Sequence, residues 1–243
     1  MTTGPTPDPG KPGRSGKPDS PGKIDTNVER ASKLDTTSIS DALDRLGIAG
    51  QCLNIKPLDH RFRLTGRAFT ILYGPAGTPP GTVGDYIDDV APGSVVVLDN
   101  GGRENATVWG DILTWVARRR GIAGTVIDGA CRDTHLSLEL GYPIFSRSYS
   151  MRTGKDRVQV QAMNGPVNIG DALVNAGDIL RGDSDGVLVI PRAHEDAVLA
   201  AAEEIDAVEQ KIRHAVNEGQ TLAEARKGLG YHQLQTRSKS SGS

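Results

Sequence analysis

Apolar and polar positions recur along this chain with two different periods, and the change of period divides it. In "TTSISDALDRLG", Ile39, Ala42, Leu43 and Leu46 share one helical face, with Thr36 or Thr37 as the cap and Gly47 as the stop. "AFTILYG" (68–74) and "SVVVLDN" (94–100) are short β-rich runs that end in Gly or Asp-Asn. In "ATVWGDILTWVARRRG", Val108, Trp109, Ile112, Leu113 and Val116 recur at helical spacing. Arg118 to Arg120 before Gly121 supply the cationic last turn and the glycine stop. The spacing therefore predicts a helix that opens near "GGRENATVWGDIL". "AGTVIDG" reads as the next strand, "THLSLELG" as a short helix closed by Gly141, and "PIFSRS" as a further strand.

From residue 157 the period shortens to two. "RVQVQAMNGPVNIGDALVNAGDILRGDSDGVLVIP" is a series of short strands broken by Asn-Gly, Gly-Asp and Asp-Gly turns. "AHEDAVLAAAEEIDAVEQKIRHAVNEG" then reads as a long helix rich in Ala and Glu. Tandem α/β units followed by a β-rich half predict a layered α/β architecture with strands on more than one face.

Composition sets the limits of the domain. Residues 1–26 are dominated by Pro, Gly, Ser and Lys, and 229–243 are nearly as polar. Neither can bury enough apolar surface to offset its ordering entropy, so both are expected to be disordered tails around one domain at 27–228. Aromatic residues are 4% and the formal net charge is −2. A stacking platform or a basic field for nucleic acid is therefore not expected. The two cysteines, Cys52 and Cys131, have no CxxC spacing, which disfavours a disulfide scaffold or zinc ribbon and fits a reducing cytoplasm. No apolar run approaches the length of a membrane span or forms a signal-peptide core.

The candidate chemistry lies in "VIDGACRDTHLSLELGYPIF". Its strand should deliver Arg132 and Asp133 to a loop at its C-terminal end, where α/β folds commonly place ligands. Asp111 lies 21 positions earlier, room for a helix, a turn and a strand, so both can border one crevice. Gly101, Gly102 and Gly110 let the backbone approach a ligand, and amides at a helix start attract anions. Arginine holds a carboxylate by two parallel hydrogen bonds. An adjacent aspartate can hold Mg²⁺ or Mn²⁺ without occupying that fork. Together they suit a 2-oxo acid. A plain surface ion pair is the competing reading of the same residues.

"GDILTWVARRRGIAGTVIDGACRD" resembles the RraA-like family, which includes class II pyruvate aldolases acting on 4-hydroxy-4-methyl-2-oxoglutarate and 4-carboxy-4-hydroxy-2-oxoadipate. The family's Asp, twenty residues, then Arg-Asp corresponds here to Asp111 and Arg132-Asp133. "TTSISDALDRLG", "APGSVVVLDNGG" and "GDSDGVLVIP" are also similar to it, so the likeness spans about residues 30 to 210. The resemblance implies an α/β/β sandwich of the swivelling-domain type, assembled as homotrimers or homohexamers. It implies that Gly110, Asp111, Ile112 and Leu113 form the substrate loop and that Arg132 holds the pyruvyl carboxylate. Asp133 would bind the metal, and Asp111 would orient its water. The implied activity is C–C cleavage through a pyruvate-type enolate, with oxaloacetate decarboxylation as a side reaction. One departure stands out: the family's signature has an acidic residue three positions after the aspartate, where this chain has Leu136.

Other residues have simpler readings beside functional ones. His135 is a ligand or a solvated loop residue, and Glu104 a substrate contact or a helix-start charge. Asp183 and Asp185 in "GDSDG" lack the further ligands of a calcium loop and read as a tight turn. Cys131 reads as a packed residue, and of Trp109 and Trp115 one should be core and the other at an interface. The rival functions are a non-catalytic regulator like the ribonuclease E-binding members, a lyase or hydratase on another 2-oxo or sugar acid, and a methyltransferase. The last is disfavoured because no glycine-rich loop follows the first strand.

Overall fold

A computed structural model describes residues 25–230. The expected tails lie outside these residues, except at 25, 26, 229 and 230. One mixed sheet carries the fold. Its order is β1 (Lys56–Pro57), β5 (Ile144–Tyr149), β4 (Gly124–Cys131), β3 (Val95–Thr107), β2 (Leu64–Pro75), β9 (Ile179–Asp183) and β10 (Gly186–Ile190). β6 (Val158–Met163) also pairs with β2. β2 to β5 run parallel, β3 and β4 being joined through α3 (Asp111–Arg119) and β4 and β5 through α4 (Thr134–Leu140). A crossover helix is the usual way to join parallel neighbours. β9 and β10 form a hairpin that adds antiparallel to the start of β2.

The central strands are apolar on both faces because both are covered. Every residue of β4 is buried, as expected for a strand between two layers. Val96, Leu98 and Ile127 face α3 and α4 in a cluster that holds Trp109 and Tyr142. Val95, Val97 and Val126 point the other way, against β7 (Val167–Ile169) and β8 (Ala172–Val174), a separate two-stranded hairpin. This alternation follows from the two-residue period of a strand. Helix layer, sheet and hairpin give the α/β/β order. A third cluster joins α1 (Thr26–Ser32), α2 (Thr36–Leu46) and α5 (Glu195–Asn217) to β9 and β10 through Ile39, Leu43, Leu188, Val198 and Leu199. A short α6 (Leu222–Gly228) closes the described chain. No helix among the described residues is long and apolar enough to cross a membrane.

The two aspartates that end β-rich runs are structural. Asp99 Oδ2 accepts the Asn168 amide at 2.9 Å, and Asp128 Oδ2 accepts that of Gly170 at 2.8 Å. Both thereby fasten the β7–β8 hairpin to the sheet, and Asp128 Oδ1 is paired with Arg147 Nε at 2.6 Å.

Three local expectations are corrected. The helix does not open near residue 106: β3 continues to Thr107, and α3 starts at Asp111. Gly101 and Gly102, at φ 59° and 68°, turn β3 out of register, after which Thr107 pairs with Ala130. Val108 and Trp109 are therefore buried as part of the strand-to-helix connection, while Ile112 is 75% and Trp115 50% exposed. Helical spacing misled because the apolar residues before Gly110 are core for another reason. The cap of α2 is Asp35, without a side-chain bond, rather than Thr36 or Thr37. The helices α1 and α6 were not foreseen, each being only seven residues long.

"GDSDG" is the expected turn between β9 and β10 and has a second job. The buried Asp183 carboxylate accepts the Thr36 amide (2.8 Å), the Thr36 hydroxyl (2.7 Å) and the Asp185 amide (3.0 Å). Burial alone would raise its pKa, but these bonds and Arg181 together hold it below the usual carboxylate value. A carboxyl with a lowered folded pKa stabilises the fold above its unfolded pKa and loses that contribution as pH falls through the folded one. Asp183→Ala is expected to cost about 2 kcal/mol in urea unfolding at pH 7. The gap from wild type should narrow in acid, and a gap independent of pH would contradict this.

Candidate active site

The site forms where two parallel strands end side by side. After β3, residues 108–110 lead into α3; after β4, Arg132 and Asp133 lead into α4. The two connections are stitched together: the Val108 amide donates to Ala130 O (3.2 Å), and that of Arg132 donates to Trp109 O (2.9 Å). The C-terminal ends of parallel strands are the common ligand position in such sheets. Trp109 fixes the turn. Its indole donates to Thr114 Oγ1 (2.8 Å), which in turn donates to Gly110 O (2.9 Å), and the ring stacks on Tyr142 at 6.1 Å between centroids.

Asp133 has a left-handed backbone, φ 55°, a region in which aspartate is among the few tolerated side chains. That conformation turns its carboxylate away from α4, which it does not cap, and towards α3. Oδ2 accepts the Asp111 amide at 3.2 Å and lies 3.3 Å from Arg132 Nε. The terminal nitrogens of the Arg132 guanidinium make no hydrogen bond among the described residues, and its side chain is 39% exposed. Asp111 Oδ1 accepts the Ile112 amide at 2.8 Å. A side chain at Gly110 would displace these groups, since an added Cβ would lie 2.8 Å from Asp133 Oδ2 and 3.2 Å from Arg132 Nε.

A cleft of about 180 Å³ opens at this point, lined by Val83, Gly84, residues 107–113, Arg132 and Thr153 to Lys155. Gly110, Asp111, Ile112, Leu113 and Arg132 thus share one cleft, and Asp133 touches its wall through Gly110 and Arg132. A roomier cleft of about 270 Å³ lies between α2 and the start of β10. It holds the start of α2 and the carboxylates of Asp41 and Asp185, but no guanidinium lines it.

Other residues fall elsewhere. Gly101 and Gly102 form the turn beside Arg103, Arg147 and Asp128 and do not line the cleft. Glu104 is exposed, and its charge acts on Arg147. His135 is exposed on α4 outside the cleft, and Leu136 is half-buried there. Cys131 and Cys52 are packed: burial pushes both thiols up, Cys52 to about 12. Trp109 is core and Trp115 half exposed. The contributions missed from sequence are Val83 and Gly84 and the loop after β5, which brings Thr153, Gly154 and Lys155 to the cleft. A cation after glycine in "RTGKD" was the available signal for the loop. Thr107 pins that loop by donating its amide (3.1 Å) and hydroxyl (2.9 Å) to Arg152 O, and an added Cβ on Gly154 would lie 2.1 Å from Thr107 O.

A divalent cation fits this donor set in one way only. Among the described residues no three His, Cys, Asp or Glu side chains converge, so a caged zinc or calcium is not supported. Two neighbouring carboxylates, with water and substrate completing the shell, suit Mg²⁺ or Mn²⁺.

Comparison with known proteins agrees with the fold. The family described as "RraA-like: Aldolase/RraA" matches residues 36–189, more than half of the chain. The protein DlpA of Legionella pneumophila is 41% identical over 209 residues, covering 85% of this chain but only 34% of DlpA. The chain thus spans about a third of that relative. A Halalkalibacterium halodurans protein named "Putative 4-hydroxy-4-methyl-2-oxoglutarate aldolase" is 34% identical, with 76% of this chain and 86% of that one covered. Among solved structures, a Pseudomonas syringae protein superposes with a TM-score of 0.78 at 39% identity, covering 83% of this chain and 96% of the other. Streptomyces coelicolor RraAS2, described as an unusual member of the RNase ES inhibitor RraA family, gives 0.72 at 26%, covering 79% and 97%. With the family match spanning the sheet, both connections and the cleft, this chain belongs to the RraA-like Aldolase/RraA family.

Proposed function

We propose that the protein is a divalent-metal-dependent lyase that cleaves or decarboxylates a 2-oxo acid through a pyruvate-type enolate. The observation that carries this reading is the meeting of Arg132, Asp133, Asp111 and the side-chain-free Gly110 at one cleft. Arg132 holds the carboxylate next to the oxo group with its unpaired guanidinium end. Asp133, with Asp111 beside it, would hold Mg²⁺ or Mn²⁺. When bound, the cation supplies positive charge against the oxo oxygen as negative charge develops there. In aldol cleavage Asp111 takes the proton from the substrate hydroxyl as the C–C bond breaks and returns it to the carbon that becomes the pyruvate methyl; in decarboxylation carbon dioxide leaves and that proton comes from solvent. The indole of Trp109 and the Thr114 hydroxyl keep the turn rigid, so these groups are held before substrate arrives.

In this reading the enzyme is a cytoplasmic homotrimer or homohexamer. Ile112 and Trp115, exposed beside the cleft, support an assembly that covers them. The test is pyruvate release from oxaloacetate and from 4-hydroxy-4-methyl-2-oxoglutarate, with Mg²⁺, with Mn²⁺ and with EDTA. Turnover that EDTA abolishes is the expected result. Well-folded, metal-supplied protein without turnover on either acid would favour the binding role suggested by the RraAS2 description.

A further inference from the structure

We propose that Tyr142 is a positioning residue for the cleft: through the Trp109 indole it sets the place of Arg132 and of the turn that opens α3. This rests on the functional reading above and adds to it a residue that does not line the cleft.

Tyr142 is 1% exposed and lies between the end of α4 and the start of β5. Two elements hold it. Its amide donates to Ser137 O (3.0 Å) and its carbonyl accepts the Ser137 hydroxyl (2.7 Å), which closes the backbone onto α4. Its own hydroxyl shares a hydrogen bond of 2.9 Å with Thr125 Oγ1 of β4, and the Thr125 amide donates to Pro143 O at 2.9 Å. The ring fixed in this way lies parallel to that of Trp109, with 3° between the planes and 6.1 Å between centroids. This is the offset stacking that aromatic pairs favour.

Trp109 carries that placement in two directions. Its carbonyl accepts the Arg132 amide, and its indole reaches Gly110 O through the Thr114 hydroxyl. The stack therefore backs both connections that hold the proposed reacting groups. Shape alone does not call for a tyrosine here. A phenylalanine would fill the same space in the cluster with Trp109, Ile127 and Ile144. Burying the hydroxyls of Tyr142 and Thr125 is unfavourable unless they bond each other. Bonded, they add direction to a core in which apolar contacts alone are non-directional. What this bond fixes is the face on which the indole rests. Misplacing a reacting group by about 1 Å can slow a reaction about a hundredfold, so a smaller slip of the indole is enough to matter.

The test uses Tyr142→Phe, Thr125→Val and the double variant, each as the full chain supplied with Mg²⁺. Phenylalanine keeps the stack and removes its tie. Each single variant leaves one buried hydroxyl without its partner, whereas the double variant removes both. The readouts are Tm, kcat and KM for oxaloacetate, and exchange of the Trp109 indole proton with water. Trp109 is 2% exposed and Trp115, the other tryptophan, 50%, so the protected indole signal belongs to Trp109. Both single variants should lower Tm, and the double variant should regain most of it. Turnover should not follow Tm: kcat should be about tenfold down in Tyr142→Phe and in the double variant, with KM within about twofold of wild type. The indole proton should exchange about tenfold faster in both. A double variant whose kcat recovers together with its Tm would overturn the assignment, as would Tyr142→Phe with unchanged kcat and indole exchange. Wild-type turnover with unaffected variants sinks only the role of Tyr142. Wild type without Mg²⁺-dependent turnover sinks the functional reading, and indole exchange then decides the link from Tyr142 to Trp109 by itself.

Discussion

Asp133→Asn is expected to lower metal-dependent pyruvate release about a thousandfold, corresponding to roughly 4 kcal/mol of lost transition-state stabilisation. Asparagine is the sharper variant because position 133 has φ 55°. Alanine in that left-handed conformation adds about 1–2 kcal/mol of backbone strain, whereas asparagine tolerates it. Asparagine still offers an oxygen to the Asp111 amide, so the fold should persist with nearly unchanged Tm. What disappears is the negative charge. Mn²⁺ affinity, read by electron paramagnetic resonance, should fall in parallel with turnover. Arg132→Lys provides the contrast: it keeps a positive charge but loses the planar fork, so metal affinity should survive while turnover drops. If Asp133→Asn retains both metal affinity and activity, Arg132 and Asp133 are only an ion pair.

Gly110→Ala is expected to cost about a hundredfold in turnover while leaving stability almost untouched. The backbone at 110, φ −150°, accepts any residue. The added methyl meets only side chains: Asp133 Oδ2 at 2.8 Å, then Arg132 Nε at 3.2 Å and Cγ at 3.4 Å. The ends of side chains can swing aside at little cost to folding, but these two ends are the proposed metal and carboxylate ligands. Thermal melting and kcat should therefore diverge. An active Gly110→Ala enzyme would show that Arg132 and Asp133 can move without consequence.

How much of this was legible in the sequence follows from which forces are local. Strands β3 and β4 were readable because burial on both faces leaves an unbroken apolar run, and Gly47, Gly121 and Gly141 marked helix ends. The spacing of Asp111 to Arg132-Asp133 was enough to bring them to one crevice, because a helix and a strand of ordinary length must fit between them. The start of α3 was misread because Val108 and Trp109 are buried by pairing with β4 and by stacking on Tyr142, contacts that one sequence does not announce. The bonding of Thr36 to a carboxylate 147 residues away was hidden for the same reason. Lys155 was overlooked because its place depends on a loop folding back onto Thr107.

That fold-back separates two kinds of change over evolutionary time. The proposed bond-breaking groups sit on connections stitched to each other at the sheet's end, and few substitutions there can be tolerated. The loop that faces them is anchored mainly by Thr107 and Gly154, which leaves its other positions free to vary. Descendants of such a chain can change what the cleft admits by drifting at position 155 without rebuilding the proposed reaction centre. Close relatives with the same Asp, Arg-Asp spacing are then poor guides to one another's substrates, and the composition of this loop is the better guide.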